Sequence, residues 1–218
     1  MRYGLLVTTH GDAPHLPETL TSFERWVTPD PVVRLAVVDG PDALLPSTVQ
    51  PGGPWWTRQA QNQYGFCVTV RTGWDLARDA IAEHRLDYVF WLENDFRFFR
   101  PVQVDLMAYA IGRFRHLGLS QMSLLRQPVN EREIIAGSVL PTIEPAPVQH
   151  MGWIAHSGYF TTNPSLIPAW LFDFDWPEGP ECEGKMGLRL RDAGLTFGIW
   201  GEGDEWVEHL GTRNGKGY

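Results

Sequence analysis

The stretch Asp87-Tyr88-Val89-Phe90-Trp91-Leu92-Glu93-Asn94-Asp95-Phe96 limits what this chain can become more than any other. Its apolar run is rich in aromatic and branched side chains and reads as a strand buried on both faces, the kind found inside an α/β sheet. The run ends abruptly at Glu93-Asn94-Asp95. A strand buried on both faces that delivers two carboxylates at its end places charge at the mouth of a sheet, and in open α/β sheets ligands bind at that edge. Two carboxylates one residue apart on a rigid strand end suit a hard divalent cation that also grips phosphate.

The segments before it alternate in kind. Tyr3 to Thr9 reads as a strand ending in Thr8-Thr9-His10-Gly11-Asp12. Leu16, Leu20, Phe23 and Val27 recur at helical spacing, with Pro17 in a first turn. Arg34 to Val38 is a second strand, closed by Asp39-Gly40-Pro41. The Pro- and Gly-rich stretch from Pro41 to Gln63 reads as a long irregular connection, with room for one short helix. Tyr64 to Val70 is expected as a third strand ending at Arg71-Thr72-Gly73, and Thr72 with Asp75 resembles a capping box that opens a helix to about His84. Strands alternating with helices imply parallel strands with crossovers, so the expected fold class is α/β with a mixed, mostly parallel sheet flanked by helices.

Beyond the central strand, Leu106, Tyr109, Ala110, Phe114 and Leu117 mark a helix, and Leu119 to Leu125 a strand. Asn130 to Met151 is Pro-rich and irregular. Gly158 to Thr162 reads as a short strand, followed by an apolar helix-like stretch from Pro164 to Phe172. Pro180 to Gly194 is a helix with Met186, Leu190 and Ala193 on one face, Thr196 to Trp200 a last strand, and Glu202 to Tyr218 a polar tail containing His209. No internal repeat and no second domain is evident. The whole of 1–218 is expected as a single domain, with 1–100 and 101–218 as its two halves.

The net charge of -8 argues against a general nucleic-acid coat protein, without excluding a local basic groove. Cys67 and Cys182 are the only cysteines, too few for a disulfide framework, so a reduced, cytoplasmic setting is expected. No apolar run approaches the roughly 18 residues that would span a bilayer. The chain has 10 tryptophans. Most are expected to fill the core, and Trp153 and Trp176 are the candidates for stacking on a sugar ring.

Four expected strand ends are polar: Thr8-Thr9, Asp39, Arg71, and Glu93-Asn94-Asp95. If the strands are parallel, all four groups meet on one edge. Hydroxyls, an Asp and an Arg beside a cation-binding acid pair suit a nucleotide diphosphate.

The run Arg71-Thr72-Gly73-Trp74-Asp75-Leu76-Ala77-Arg78-Asp79-Ala80, followed by Tyr88 to Asp95, resembles the core of GT-A-type glycosyltransferases of the family 2 kind. Ala77-Arg78-Asp79 stands for that family's Ala-Arg-Asn element and Glu93-Asn94-Asp95 for its Asp-x-Asp motif. Thr8-Thr9 and Val37-Val38-Asp39-Gly40 look like its opening nucleotide-binding elements. Downstream, Glu181-Cys182-Glu183 precedes Arg189-Leu190 as the family's acidic pair precedes its Arg-Leu, with Cys182 where an acid is expected. The resemblance implies Glu183 as catalytic base, with Glu181 as its partner or replacement. It implies donor binding by Thr8, Thr9, Asp39, Arg71, Arg78, Glu93 and Asn94. It implies metal binding by Asp95 with His209, and Glu93 touching ribose, a metal-bound water or the ion. The metal would be Mn²⁺ or Mg²⁺, and an imidazole ligand favours Mn²⁺.

The implied activity is metal-dependent transfer of a sugar, with inversion, from a nucleotide-diphosphate sugar to an acceptor hydroxyl on a glycan, a lipid-linked sugar, a protein or a modified DNA base. Two rival readings stand beside it. One is a sugar-nucleotide pyrophosphorylase, which needs an Arg-rich Gly loop and a Lys that His10-Gly11-Asp12-Ala13-Pro14 does not supply. The other is a non-catalytic sugar-binding module with a structural divalent-cation site.

Overall fold

The computed structural model describes residues 1–10, 13–39, 55–60, 65–128, 131, 148–150, 152–201 and 203–212. The first strand and helix follow the sequence pattern: β1 (Tyr3–His10), then α1 (Leu16–Trp26), which buries Leu16, Thr19, Leu20, Ser22 and Phe23. Next come β2 (Val27–Thr28), β3 (Val33–Asp39) and β4 (Trp55–Ala60). The long helix α2 (Phe66–His84) leads into the central strand β5 (Tyr88–Glu93). Two short strands, β6 (Phe96–Phe98) and β7 (Val102–Gln103), precede α3 (Val104–Arg113) and β8 (Leu119–Leu124). The remainder comprises β9 (Val148–His150), β10 (Trp153–His156), β11 (Ser165–Pro168), a 3-10 turn (Ala169–Asp173), α4 (Cys182–Asp192), β12 (Thr196–Trp200) and β13 (Val207–His209).

Among the described residues nine strands form one mixed sheet in the order β4-β3-β1-β5-β11-β8-β12-β10-β9. β4, β3, β1 and β5 are mutually parallel, as crossover helices require. Only β11 and β10 run against the rest. Strand side chains alternate between faces. Phe90 and Leu92 therefore enter the core under α1 and α3 with Leu5 and Val7, while Val89 and Trp91 enter the opposite core with Leu6, under α2 and α4. That is why β5 carries no polar alternation: both of its faces are covered.

Several expectations are corrected. Of the expected strand from Tyr64 to Val70, Tyr64 lies outside the described residues and 66–70 are helical. Its β-branched and aromatic residues begin α2, whose buried positions Thr69, Val70, Gly73, Trp74, Leu76, Ala77 and Ala80 keep a helical period. Packing of that stripe against the sheet overrides the strand propensity of the first turn. Thr72 consequently caps nothing and instead bonds back to the Val68 carbonyl within the helix. The missing parallel strand is β4, inside the stretch read as an irregular connection. The rest of that connection, and 130, 132–147 and 151 of the second irregular stretch, lie outside the described residues. Gly158 to Thr162 is irregular, and the strands on either side of it are β10 and β11. Residues 165–168, read as helix-like, form β11 because the sheet has a gap between β5 and β8 that an extended segment fills. The polar tail contains β13, which pairs with β6.

Cys67 and Cys182 form a disulfide, with their Cα atoms 5.8 Å apart. This corrects the expectation of reduced thiols. The two residues lie 115 apart in sequence. The packing of α2 beside α4 against the same core brings the two helix starts together, which no spacing rule reveals. Among the described residues no helix is long and apolar enough to cross a membrane.

Candidate active site

The ends of β1, β3 and β5 and the start of α2 enclose a pocket with about 130 Å³ of free space, lined by Thr8, Thr9, Asp39, Gly65, Phe66, Thr69, Val70, Glu93 and Asn94. Parallel pairing makes this inevitable, since the register sets Thr8 opposite Glu93 and Thr9 beside Val38, next to Asp39. Thr8, Thr9, Asp39, Glu93 and Asn94 are thus brought together as expected. Gly65, Phe66, Thr69 and Val70 were missed because that segment was read as strand. Gly65 has φ 75° and ψ -173°, a conformation open essentially to glycine, and it lets the chain turn into α2 at the pocket wall. The first turn of α2 carries no acidic residue, so its N–H groups present partial positive charge to the pocket.

The expected Arg71 does not sit at a strand end. It lies on α2, and its guanidinium pairs at 2.9 Å with Glu178 on the surface. Arg78 spans outward from α2. It donates to the carbonyls of Phe172 at 2.9 Å and Phe174 at 3.5 Å and reaches Asp175, so it ties the helix to the 3-10 turn. Trp153 and Trp176, the sugar-stacking candidates, are core residues. Trp153 stacks on His150 with ring centroids 4.1 Å apart, and Trp176 is enclosed by Trp74, Trp91 and Phe160.

The two carboxylates of Glu93-Asn94-Asp95 part company. Glu93 turns to Thr162, whose hydroxyl lies 2.7 Å from Glu93 Oε1 and 3.0 Å from Glu183 Oε1. The Thr162 backbone N–H also donates to Glu183 Oε1, at 2.5 Å. Glu183, the first acidic residue of α4, is thereby joined through one threonine to the rim of the pocket. Burial, with Asp95 and Glu183 close by, pushes the Glu93 carboxyl up to about 8. Burial raises Glu183 too, opposed by its hydrogen bonds from Thr162 and Thr161. A threonine hydroxyl has a single hydrogen to give. One of the two carboxyls that share Thr162 Oγ1 must therefore bring a second hydrogen of its own if both contacts are to be hydrogen bonds. Glu181 is exposed, occupies the left-handed region (φ 58°) at the N-cap of α4, and uses its carbonyl to accept from Lys185 N–H.

Asp95 and His209, 114 residues apart in the numbering, meet with Oδ2 and Nε2 2.9 Å apart, and both side chains are nearly enclosed. The positioning is detailed. His209 pairs with Phe96 across the β13–β6 ladder, and the Asp95 carbonyl accepts from Leu210 N–H at 2.7 Å. Gln127 holds the His209 backbone from both sides: its amide donates to the His209 carbonyl at 3.1 Å and its carbonyl accepts from His209 N–H at 3.0 Å. Gly211 is required for the approach, since a Cβ there would lie 2.2 Å from Asp95 Oδ2. Gln127, Thr162 and Gly211 were not foreseen. They act through contacts between distant segments and leave no local signature.

The donor set suits a divalent cation. Asp95 Oδ2 and His209 Nε2, 2.9 Å apart, are a carboxylate oxygen and an imidazole nitrogen that together would hold Mn²⁺ or Mg²⁺. His209 Nδ1 is buried without a hydrogen-bond partner among the described residues, a polar atom still to be satisfied. Among the described residues no third His, Cys, Asp or Glu completes the site. An ion here would take its other ligands from water or from a bound phosphate, the usual arrangement for Mg²⁺.

No family model and no curated protein sequence matches the chain. Solved structures do. The S. aureus TarS 1-349 structure is similar with a TM-score of 0.57 at 11% identity, over 96% of this chain and 60% of that one. TarS 1-349 in complex with UDP-GlcNAc gives 0.59 at 12% identity, over 100% and 62%. A Bacillus anthracis protein assigned as a glucose-1-phosphate thymidylyltransferase, in complex with a sucrose, gives 0.56 at 13% identity, over 96% and 90%. The chain thus spans about 60% of the TarS structure it matches. TarS is a GT-A-type glycosyltransferase. At these identities the likeness is one of fold: the chain has the mixed α/β, Rossmann-like architecture of GT-A and nucleotidyltransferase proteins.

Proposed function

We propose that this protein is a metal-dependent glycosyltransferase that moves a sugar, with inversion, from a nucleotide-diphosphate sugar to an acceptor hydroxyl. The observation that carries this reading is the union of two features at one sheet edge: a pocket formed by strand ends, and a carboxylate, Glu183, joined to its rim through Thr162. The hydroxyls, amide and carboxylates lining the first suit the polar edges of a nucleoside, and a group transfer that takes up a proton needs the second.

The residues divide the work. Asp39, buried at the end of β3, accepts hydrogen bonds from base or ribose, and Thr8, Thr9 and Asn94 complete the polar wall. Phe66 and Val70 supply apolar surface for the base. The N–H groups at the start of α2 favour the anionic part of the donor. Asp95 and His209 would hold Mn²⁺ or Mg²⁺, and that ion supplies charge neutralisation for the departing diphosphate. Glu183 accepts the proton of the acceptor hydroxyl as that oxygen attacks the anomeric carbon, and burial makes its carboxylate a stronger base than one in water. A base facing the sugar from the side opposite the diphosphate produces inversion. Arg78, Arg71 and Glu181 would brace the site from outside it.

The test is a panel of sugar nucleotides with Mn²⁺ or Mg²⁺, scored for nucleotide-diphosphate release and for thermal stabilisation. The expected result is metal-dependent release from at least one donor. Stabilisation without turnover would make the chain a binding module. The nucleotidyltransferase alternative has one observation in its favour, the near-complete mutual coverage with the B. anthracis structure. Incubation with nucleoside triphosphates and sugar 1-phosphates separates the two readings, because a nucleotidyltransferase would release pyrophosphate.

A further inference from the structure

The Glu183 carboxyl is gripped by two consecutive threonines. Thr162 reaches it through N–H and hydroxyl, and Thr161 through its hydroxyl. Both threonines are buried, yet they lie in the segment 157–164 between β10 and β11, which is neither strand nor helix. Buried backbone polar groups outside regular structure need partners from elsewhere. For Thr161 a single side chain supplies them. Gln121, in β8, donates from its amide to the Thr161 carbonyl at 2.5 Å and accepts from the Thr161 N–H at 3.2 Å. The same amide donates to Ser165 Oγ at 3.0 Å, where β11 begins.

Gln121 is 1% exposed. Burying an amide is unfavourable unless its polar atoms are matched, and an apolar side chain at this point of a core strand would avoid the penalty. All three of these bonds go to the segment that grips Glu183. Gln127 clasps the backbone of His209 in the same two-point way, so two glutamines of similar use stand at and just beyond β8, one on the cation side and one on the base side. The helix that carries Glu183 meets the segment closely. A Cβ on Gly187 would stand 3.1 Å from Phe160 N, so the bare glycine lets α4 lie against the backbone beside Thr161. Gly187 is one turn past Glu183 and shares its face of the helix. Phe160 itself is anchored among Trp74, Trp176 and Phe197.

We propose that Gln121 is a positioning residue for the proton transfer at Glu183: by clasping the backbone of Thr161 it holds the Thr161–Thr162 grip in the one arrangement that aims the Glu183 carboxyl. This rests on the glycosyl-transfer reading of Glu183. Gln121 lines no part of the donor pocket, so its loss acts on the transfer step and spares donor binding. A displacement of about 1 Å at a reacting group is enough to slow a reaction by about 100-fold.

The test is a double-mutant cycle on the full chain, with Mn²⁺ and the sugar nucleotide that it turns over. Gln121→Met keeps the length of the side chain and removes its hydrogen bonds. Nucleotide-diphosphate release at saturating donor should fall about tenfold or more, while affinity for the released nucleoside diphosphate, read by calorimetry, stays within about twofold. On the Glu183→Gln background the same change should have almost no further effect, because the group it acts through is already gone. If melting temperatures show that Gln121→Met does not fold, Gln121→Asn, which keeps an amide but withdraws it by one carbon, is measured against the same criteria. A purely structural role slows release equally on both backgrounds or weakens nucleotide affinity as much as release; either result, or unchanged release, overturns the proposal. Failure of the underlying reading looks different: Glu183→Gln alone then releases nucleotide diphosphate at the wild-type rate.

Discussion

On the β4-β3-β1-β5 side of the sheet the strands are parallel, and the polar groups reach the site simply by ending their strands: Thr8 and Thr9, Asp39, Glu93. On the β11-β8-β12 side the strands are mixed, and no strand end delivers a functional group to the pocket. There the site is assembled by side contacts: Thr162 on Glu183, Gln127 on His209, Gly211 against Asp95. The first arrangement follows from topology alone. The second depends on individual atoms being in place, and small changes there should have large effects.

The strongest test of that contrast is at the Asp95–His209 pair. Asp95→Ala and His209→Ala should each abolish metal-dependent donor binding, read as loss of the Mn²⁺-dependent rise in melting temperature with donor. Gly211→Ala should approach the same loss without removing a ligand, because its added carbon would displace the Asp95 carboxylate. Next in size, Glu183→Gln should retain donor binding and lower transfer by about 10²-fold or more, the usual contribution of a positioned base. If transfer is normal in that variant, Glu181 is the next residue to change.

The disulfide joins the two regions, since Cys67 begins α2 and Cys182 begins α4 beside Glu183. Cys182→Ser should cost about 2–5 kcal/mol of stability by chemical denaturation, as loss of a native disulfide typically does. A smaller effect concerns pH. Glu93 titrates at about 8 in the folded protein against 4.5 for an ordinary glutamate, so between those values the unfolded chain has released a proton that the folded chain keeps. Stability of chelator-treated protein should therefore fall as pH rises through that window, and Glu93→Gln should flatten the fall. His156, lowered to about 4 by burial, contributes with the opposite sign between about 4 and 6.5, so it offsets the Glu93 contribution there and the net fall should show between about 6.5 and 8. Least of all, Arg71→Ala removes an exposed ion pair with Glu178 and should change stability by less than about 1 kcal/mol.

The contrast also explains what could be read from the residues alone. β1, β3, β5 and the ends that carry Thr8, Asp39 and Glu93 were legible because continuous apolar runs with polar terminations describe parallel strands. Tyr64 to Val70 misled because its strand-favouring residues sit in the first turn of a helix whose packing decides the matter. β11 was obscured by its shortness and its prolines: it has four residues, follows Pro164 and ends on Pro168. Thr162, Gln127 and Gly211 were invisible, since each matters through a contact with a segment far away in sequence. The pairing of Cys67 with Cys182 belongs to the same class.

The central claim is that the strand-end pocket binds a nucleoside diphosphate through a cation held by Asp95 and His209. Calorimetric titration of UDP into the wild-type protein and into Asp95→Ala, each with Mn²⁺ and with chelator, tests it directly. The account predicts saturable binding to wild type with Mn²⁺, at least tenfold weaker binding with chelator, and no metal effect in Asp95→Ala. Equal affinity in all four titrations would contradict it.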